Sequence, residues 1–474
     1  MTQRAPDLLI RGGSVIDGTS APAFAADVRL REGRIAEIGT ELSSEANEEV
    51  FDASGCYVAP GLIESHTHFD GTMWWQPDLD PLPGCGVTTV VMGNCGFALA
   101  PLHDDPEVRA QVVKIFSFFE DIPEAPFFQN LPWDWKTWSE YKASVARSVD
   151  VPMNYGSFVG HIALRLAVMG MDAWERAATP GEVEKIAALL EDALAAGALG
   201  MSTNLMDHDG SDRPVPSLHA DDAEFRALFE TVVRHEGASV QVVVDSIMRM
   251  TAAASMERLA GIAEGLPLRL QWAGVPTLKW RKDYGLQQPL ADLHERFTRE
   301  GREFWTGFSH IPITTTASVM HSLLFAQSGD YAWHEVVTAE GVDAKLAVLK
   351  DPEWRVRARH SWDHESLETA HFRYPRPILL DNSANDVGPV NITLGEYADR
   401  IGAPHPSDAL ADWLIANGLE STVTMPPWDK DDEMVVKLLK DPLTVGNITD
   451  SGAHGQLFCG MGDNLMLYTH YVRE

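Results

Sequence analysis

Residues 56–72, CYVAPGLIESHTHFDGT, mark the point where the sequence changes its pattern. Before them, short alternating stretches are separated by Gly and Asp turns. After them, short apolar stretches alternate with longer helical ones. This second pattern predicts strands of a parallel sheet joined by helices. The quoted stretch predicts the first of these strands, and His66 and His68 stand at its end.

Eight short apolar segments predict the strands of this larger part. They are residues 57–65, 87–94, 153–161, 198–204, 238–245, 266–272, 303–309 and 444–450. Eight strands with helical connections predict an α/β fold of the (β/α)8 TIM-barrel type. The connection before the eighth strand is too long for one helix, so we expect an insert at about residues 310–443.

The clearest helix is predicted at residues 179–197, TPGEVEKIAALLEDALAAG. Thr179 is expected to cap it, Glu182 completes a capping box and Pro180 suits the first position. Apolar residues then recur at helical spacing, and Gly197 is placed to end the helix.

Residues 7–55 predict a small antiparallel β unit without a helix, because short strands alternate there with Gly and Asp turns. We therefore expect two domains. Residues 1–57 form the N-terminal β portion, and residues 58–474 form the barrel.

The composition excludes several classes of protein. The 37 basic and 69 acidic residues give a net charge of −32, which argues against nucleic acid or an anionic membrane as a partner. No apolar run approaches the roughly 20 residues that span a bilayer. The first residues, MTQRAPDLLIRGG, have no long apolar region, so we expect no secretion signal. The four cysteines (Cys56, Cys85, Cys95 and Cys459) have no CxxC spacing, so a cytoplasmic setting is expected.

The His66-Thr67-His68 pair is not specific by itself. With 17 histidines in 474 residues, chance supplies about 0.6 such pairs. In a barrel, however, active-site residues lie at the carboxyl ends of the strands, and Cys95, His161 and Asp450 also follow predicted strands. Two imidazoles, a thiolate and a carboxylate are ligands that a zinc-like ion takes. The pattern therefore predicts a metal site.

Three stretches carry a family resemblance: VAPGLIESHTHFD (58–70), GVTTVVMGNCGFALAPL (86–102) and VGNITDSGAH (445–454). With them, the sequence resembles the amidohydrolase superfamily, and more closely its branch of N-acyl-D-amino-acid deacylases, the D-aminoacylases. LLIRGGSVIDGT (8–19) is similar to the first half of the β-sandwich of that family.

The resemblance implies a metal-dependent enzyme that acts on carbon–nitrogen bonds other than peptide bonds. His66 and His68 would bind zinc or another divalent metal, and Asp450 would be both ligand and general base. Cys95 would be the thiolate ligand that this branch uses in place of a modified strand-four lysine. The expected reaction is attack of a metal-bound hydroxide on a linear amide, which deacylates a small N-acyl-D-amino acid.

Two departures from the family pattern change the expected metal content. Gln241 and Gln271 stand where histidines of strands five and six would hold a second ion, and glutamine is a poor zinc ligand. One ion per subunit is therefore expected. His208, His219 and His310 are the nearby histidines that could substitute.

Four further residues are candidates for contacts with the substrate or with the ligands. His161 and His219 could orient a ligand or touch the substrate, although a buried, hydrogen-bonded histidine is an equal alternative for His161. Arg165 and Arg213 could bind a substrate carboxylate, against the default of a solvated arginine. His454 is expected to be structural.

The sequence stops at Glu474, about two dozen residues after Asp450. The strands that complete the sandwich in the family are therefore expected to be missing, which would leave an apolar face or sheet edge uncovered. Three alternatives follow: the sequence is a fragment, a neighbouring subunit covers the gap, or the protein is unstable. A homo-oligomer therefore stays open.

Two other functions stay open at this point. The same scaffold could hydrolyse a cyclic amide or another C–N bond, although the missing strand-four lysine favours a linear amide. Alternatively, the chain could be a catalytically dead barrel that retains a structural metal.

Overall fold

The structure is a computed structural model of the chain. It describes residues 7–19, 21–209, 213–246, 250–283, 285–312, 314–320, 332–364, 378–425, 429–446, 448–454, 460 and 462–472. The chain divides into two compact units, Met1–Leu62 and Ile63–Glu474. The domain boundary predicted after residue 57 stays a prediction.

The first unit contains one five-stranded sheet. Its strands are β1 (Asp7–Val15), β2 (Phe24–Arg31), β3 (Arg34–Gly39), β4 (Glu48–Asp52) and β5 (Tyr57–Val58). The order is β3-β2-β1-β4, and β5 also pairs with β1. Only β1, β2 and β3 pair antiparallel as expected. The expectation is wrong for β4 and β5, which run parallel to β1 because the chain crosses from β3 to the other edge.

Apolar side chains of this sheet differ strongly in exposure. Val15, Ala26 and Val28 form a small buried cluster. Ile35 and Tyr57, by contrast, expose more than half of their surface. An apolar surface of this kind was expected from the sequence, and what covers it stays a prediction.

The strands of the second unit that precede the long insert follow the predicted segments. They are β6 (Leu62–Glu64), β7 (Val87–Met92), β8 (Asn154–Ser157), β9 (Val159–Gly160), β10 (Gly200–Leu205), β11 (Ser239–Val244), β12 (Leu270–Ala273) and β13 (Phe304–Gly307). The last predicted strand is β18 (Thr444–Val445). Each of the eight predicted segments thus overlaps a strand, which supports the α/β prediction.

These strands form two sheets, β6-β7-β8 and β18-β13-β12-β11-β10-β9. Strands β7 and β8 are parallel, and so are all pairs of the second sheet. An isolated parallel bridge joins Thr67 to Ser451, beyond the ends of β6 and β18. Closure of the two sheets into one eight-stranded barrel stays a prediction.

Helices connect these strands. They are α1 (Pro106–Glu120), α2 (Glu124–Asn130), α3 (Trp138–Ser148), α4 (His161–Met169), α5 (Pro180–Ala195), α6 (Asp222–Val232), α7 (Ala252–Ile262), α8 (Lys279–Asp283) and α9 (Gln288–Arg299). Short helical turns lie at Thr72–Trp74, Pro83–Cys85, Gly170–Trp174, Pro216–His219, Asp463–Leu465 and Leu467–Val472. Within the described residues we find no helical segment with the length and apolarity that crossing a bilayer requires.

Helix α5 begins as the sequence predicted. The Thr179 hydroxyl accepts a hydrogen bond from the Glu182 amide, and the Glu182 carboxylate accepts one from the Thr179 amide at 2.7 Å. Pro180 occupies the first turn, where its missing N–H costs nothing. Gly197, with a φ of 98°, follows the end of the helix. The predicted capping box is therefore confirmed.

The long connection between β13 and β18 has its own sheet and core. Its strands are β14 (Thr315–Ala317), β15 (Leu379–Asn382), β16 (Ile392–Thr393) and β17 (Thr422–Met425), in the antiparallel order β14-β17-β15-β16. Its helices are α10 (His334–Thr338), α11 (Gly341–Lys350), α12 (Pro352–His364), α13 (Leu394–Ile401), α14 (Pro406–Asn417) and α15 (Asp432–Leu439). Trp333, Trp354 and Trp413 are fully buried in its core.

The Thr179 cap gives a stability prediction. Thr179→Ala should lower the free energy of unfolding by about 1 kcal/mol, because the first turn of α5 loses a hydrogen-bond acceptor. Lys185→Ala, exposed on the same helix, should change it by less than about 0.5 kcal/mol. Chemical denaturation of both variants measures the difference. Equal losses in the two variants would contradict the assigned cap.

Candidate metal centre

His66 and His68 lie on the segment after β6, which is held on both sides. The Thr67 amide donates to the Val91 carbonyl at 3.0 Å, and the His68 amide donates to the Ser451 carbonyl at 3.0 Å. The His66 and His68 side chains are buried, and their ring centroids lie 5.4 Å apart. The strand end therefore presents two imidazoles together, as the sequence predicted.

Cys95 lies on a tight turn after β7. Its φ is 56°, and the neighbouring Gly96 has a φ of 78°. A Cβ at Gly96 would lie 3.1 Å from the Asn204 amide nitrogen, so the close approach of this turn to β10 favours glycine. The turn brings Cys95 Sγ to 3.0 Å from His66 Nε2. The thiol thus reaches the imidazole pair.

Residues of β10 and β11 hold this turn. Ser202 Oγ accepts a hydrogen bond from the Gly96 amide at 3.0 Å, and Asn204 Nδ2 donates to the Cys95 carbonyl at 3.0 Å. Gln241 Oε1 accepts a hydrogen bond from the Cys95 amide at 2.9 Å. Strand β10, the fourth of the predicted barrel strands, has no lysine, and its Ser202 and Asn204 hold the Cys95 turn.

Asp450, beyond the end of β18, completes the group. Its Oδ1 lies 3.0 Å from His68 Nε2 and 3.6 Å from His66 Nε2. Its Oδ2 lies 3.4 Å from Nε2 of His454. Burial disfavours the carboxylate, but His66 and His454 outweigh it and hold the pKa of Asp450 well below its usual range. The one carboxylate thus faces both imidazoles and a third histidine.

Glu120 is a member of this site that the sequence analysis missed. It ends α1, is almost completely buried, and places Oε1 3.3 Å from His68 Nδ1. Its Oε2 lies 3.4 Å from Nε2 of His454. One signal was available, because Glu120 follows the buried Val112 and Phe116 at helical spacing and so occupies a core position of α1.

The charge states of the centre follow from burial and neighbouring charges. Burial lowers the pKa of His66 to about 4, so its ring is neutral and able to ligate at neutral pH. Burial also raises the pKa of the Cys95 thiol, and the carboxylates of Asp450 and Glu120 add to the effect. A divalent cation reverses that balance, because a coordinated thiol is deprotonated. The thiol is therefore suited to a cation and poorly suited to carry a charge alone.

Two sets of residues in this site fit a metal ion. The ligand atoms of His66, His68 and Cys95 lie within 4.8 Å of one another, and so do those of His68, Glu120 and Asp450. Atoms bound to one zinc ion are at most about 4.6 Å apart, since each lies about 2.0–2.3 Å from it. In addition, Nε2 of His68 and Oδ1 of Asp450 are buried and make no hydrogen bond within the described residues. A divalent cation would satisfy such atoms.

The two glutamines lie side by side. Gln241 and Gln271 are aligned in the parallel pairing of β11 and β12, and both are buried. Gln241 fixes the Cys95 turn.

His161 and Arg165 belong to a separate buried network. His161 Nε2 lies 2.8 Å from Glu224 Oε1, and its Nδ1 lies 2.9 Å from Thr203 Oγ1. Arg165 forms an ion pair with Glu224 and donates to the Arg176 carbonyl at 2.9 Å. Because these side chains are fully buried and mutually paired, the contacts favour a structural role.

The remaining candidates are not members of the two sets of candidate ligands found among the described residues. Arg213 Nε donates to Asp209 at 2.8 Å, and its guanidinium lies over the Trp174 ring. His219 ends the turn after Val215 and is partly buried. His208 and His310 are buried but belong to neither set of candidate ligands. A role for any of these residues in substrate binding stays a prediction.

Comparison with known proteins places this geometry in a family. The model of the Amidohydrolase family matches residues 49–464. The chain belongs to the amidohydrolase family. This confirms the superfamily that the His-x-His, cysteine and aspartate motifs indicated.

Named relatives refine that likeness. A D-aminoacylase of Alcaligenes xylosoxydans xylosoxydans is 38% identical over 198 residues, which cover 42% of this chain and 37% of that protein. An N-acyl-D-glutamate deacylase of Bordetella bronchiseptica, solved with zinc and a phosphonate inhibitor, matches with a TM-score of 0.58 at 23% identity. That match covers 93% of this chain and 75% of the other. A D-aminoacylase matches with a TM-score of 0.57 at 23% identity, over 94% of this chain and 76% of the other. That protein is described with a binuclear metal centre, with activation by one metal and attenuation by the second.

The buried network of Glu224 gives a prediction about stability. Glu224→Ala should lower the free energy of unfolding by about 3–5 kcal/mol, because it leaves the charge of Arg165 buried without its partner. Glu230→Ala, which removes an exposed ion pair with Arg226, should cost less than about 1 kcal/mol. Equilibrium unfolding in urea measures both. A loss for Glu224→Ala as small as that of the control would contradict the network.

Proposed function

We propose that the chain is a metal-dependent hydrolase of linear amides that releases an amino acid from an N-acyl-amino acid. One observation carries the proposal, namely the convergence of His66, His68, Cys95 and Asp450 from three strand ends. The D-aminoacylase and the N-acyl-D-glutamate deacylase that the chain resembles support the substrate class. By the same likeness, we expect the D-amino acid to be preferred.

The residues of the site have separate roles in this proposal. His66, His68, Cys95 and Asp450 would hold zinc or another divalent ion. When bound, such an ion acidifies a water molecule and polarises the amide carbonyl. Asp450 accepts the proton of the attacking water and delivers it to the departing nitrogen, as general base and then general acid. His454, whose Nε2 lies 3.4 Å from Asp450 Oδ2, holds that carboxylate in place.

We propose one ion per chain for this activity. Gln241 is engaged by the Cys95 amide, and Gln271 is a poor zinc ligand, so a second set of histidines is not supported at this position. The D-aminoacylase described with one-metal activation is consistent with a single activating ion.

The proposed substrate carries a carboxylate, and the chain carries a net charge of −32, so a local cation is needed to bind it. Arg165 and Arg213, the candidates from the sequence, are already paired with Glu224 and Asp209. Lys430 differs from both. No carboxylate of the described residues lies within ion-pair distance of its Nζ.

Lys430 contacts residues that follow two strands of the sheet that contains β18. Its Nζ donates to Thr277 Oγ1 at 3.3 Å and to the Ser309 carbonyl at 3.2 Å, beyond the ends of β12 and β13. An ammonium has a third donor, which leaves one for a ligand. Burial lowers the pKa of Lys430 to about 7, an effect that a bound carboxylate would oppose. We therefore propose Lys430 as the anchor of the substrate carboxylate.

A cyclic amide remains the second candidate substrate. The absence of a lysine on β10, where Ser202 and Asn204 instead hold the Cys95 turn, supports a linear amide. The alternative without catalysis is a barrel that retains only a structural metal. Bound zinc together with no amine release from any substrate would favour it.

Replacement of Asp450 tests the proposed chemistry. Asp450→Asn should lower the rate of amine release from N-acyl-D-amino acids by about 10²–10⁴-fold, because the general base is lost. Asp429→Asn, an exposed site, is the matched control and should retain full activity. Amine release from paired N-acyl-D- and N-acyl-L-amino acids measures the rate and the preference. Undiminished turnover by Asp450→Asn would remove this residue from the mechanism.

Replacement of Lys430 tests the proposed anchor separately. Lys430→Ala should raise KM about 30-fold or more with little change in kcat, because truncating one side of a buried charge pair costs about 2–5 kcal/mol. Lys437→Ala, whose ammonium pairs with Glu295 on the surface, should leave KM unchanged. Steady-state kinetics on one N-acyl-amino acid compares them. An unchanged KM in Lys430→Ala would place the anchor elsewhere.

A further inference from the structure

We infer that Glu120 is a positioning residue of the metal centre, which holds His68 through Nδ1 so that Nε2 faces the cation. This inference rests on the proposed function, because it assumes that His68 binds a metal. Glu120 comes from α1, an element that supplies none of the residues expected from the sequence. It therefore adds a support for the site that the strand ends alone do not provide.

The two nitrogens of His68 face different carboxylates. Nδ1 lies 3.3 Å from Glu120 Oε1, and Nε2 lies 3.0 Å from Asp450 Oδ1. Asp450 Oδ1 is also 3.6 Å from Nε2 of His66. The Nε2 side is therefore where the ligand atoms converge, and the Nδ1 side belongs to Glu120.

A carboxylate on Nδ1 decides which nitrogen can bind a metal. A neutral imidazole carries one proton, and the nitrogen without it is the ligand. An acceptor beside Nδ1 keeps the proton there, leaves the Nε2 lone pair free and makes that nitrogen more basic. Glu120 thus selects the tautomer of His68 that the proposed site requires.

Glu120 is itself held in position by the segment that follows Asp450. Its backbone carbonyl accepts a hydrogen bond from the His454 amide at 2.6 Å, and its Oε2 lies 3.4 Å from His454 Nε2. The same nitrogen lies 3.4 Å from Asp450 Oδ2. Glu120 therefore connects the His68 ring, through His454, to the carboxylate on the other side of the centre.

The alternative is that Glu120 binds the ion directly, since His68, Glu120 and Asp450 form one of the two sets of candidate ligands. Oε1 of Glu120 lies beside Nδ1, whereas Asp450 lies beside Nε2, and this favours the positioning role. The two roles also differ in a measurable way. A lost ligand changes the coordination of the ion, whereas a lost support weakens binding and leaves the ligand set unchanged.

The test measures metal affinity and coordination, without an activity assay. Zinc dissociation constants of the wild type, Glu120→Ala and Glu120→Gln are determined by competition with a chromophoric chelator. Glu120→Ala should weaken binding about 10–100-fold, the usual effect of removing a group that orients a ligand. The affinity of Glu120→Gln should fall between those of the wild type and Glu120→Ala, because an amide oxygen can take the place of Oε1 beside Nδ1. Glu107→Gln, exposed on the same helix, is the control and should bind as the wild type does.

Cobalt substitution completes the experiment. The visible spectrum of cobalt-loaded Glu120→Gln should indicate the same coordination number as that of the cobalt-loaded wild type. A changed coordination number would make Glu120 a ligand and overturn the inference. Wild-type zinc affinity in Glu120→Gln, or in a Glu120→Ala protein with native circular dichroism, would also overturn it. If the wild type itself bound no zinc, the proposed function would fail. That result differs from wild-type zinc affinity in the Glu120 variants, which would overturn only the inference about Glu120.

Discussion

The centre depends on the joint between the segments that follow β6 and β18, where a parallel bridge pairs Thr67 with Ser451. The Ser451 carbonyl accepts the His68 amide at 3.0 Å, and this hydrogen bond brings together residues almost four hundred positions apart in the sequence. The buried carboxylate of Glu64 strengthens the same joint. It accepts a hydrogen bond from the Thr449 hydroxyl at 2.7 Å and another from the Thr449 amide at 3.2 Å. Without this joint, Asp450 would not face the imidazole pair.

The groups around the centre explain why so many polar atoms are tolerated in a buried place. An unpaired buried carboxylate or imidazole costs free energy, because it has lost its water without gaining a partner. Here His68 and Asp450 keep buried atoms that make no hydrogen bond within the described residues, while Gln241 and Ser202 are engaged around Cys95. Gln241 and Ser202 around Cys95 are therefore hydrogen-bonded, whereas these atoms of His68 and Asp450 are not, which is the arrangement expected around a cation.

Local patterns made much of the fold predictable. Short apolar segments that alternate with helical ones predicted the eight strands, and the Thr179–Glu182 spacing predicted the start of α5. Both patterns could be read because they depend on residues that are neighbours in the sequence. His66, His68, Cys95 and Asp450 could be placed because carboxyl ends of parallel strands meet at one edge. The parallel pairing of β4 was missed, since it depends on where the chain crosses the sheet and not on its alternation.

The missed parts of the site share a physical cause. Glu120 reaches the centre from a helix, so its place depends on how α1 packs, and no strand-end rule predicts that. The role of Gln241 depends likewise on a turn from another strand. Arg165 looked available for a carboxylate because the sequence does not show that Glu224 lies beside it.

The most direct test of the account is anomalous diffraction at the zinc edge from crystals of the protein grown with zinc. The account predicts a peak at about 2.0–2.3 Å from Nε2 of His66, Nε2 of His68 and an oxygen of Asp450, with Cys95 Sγ at about 2.3 Å. A zinc peak bound by other residues, or ordered side chains at these positions with no peak between them, would contradict it.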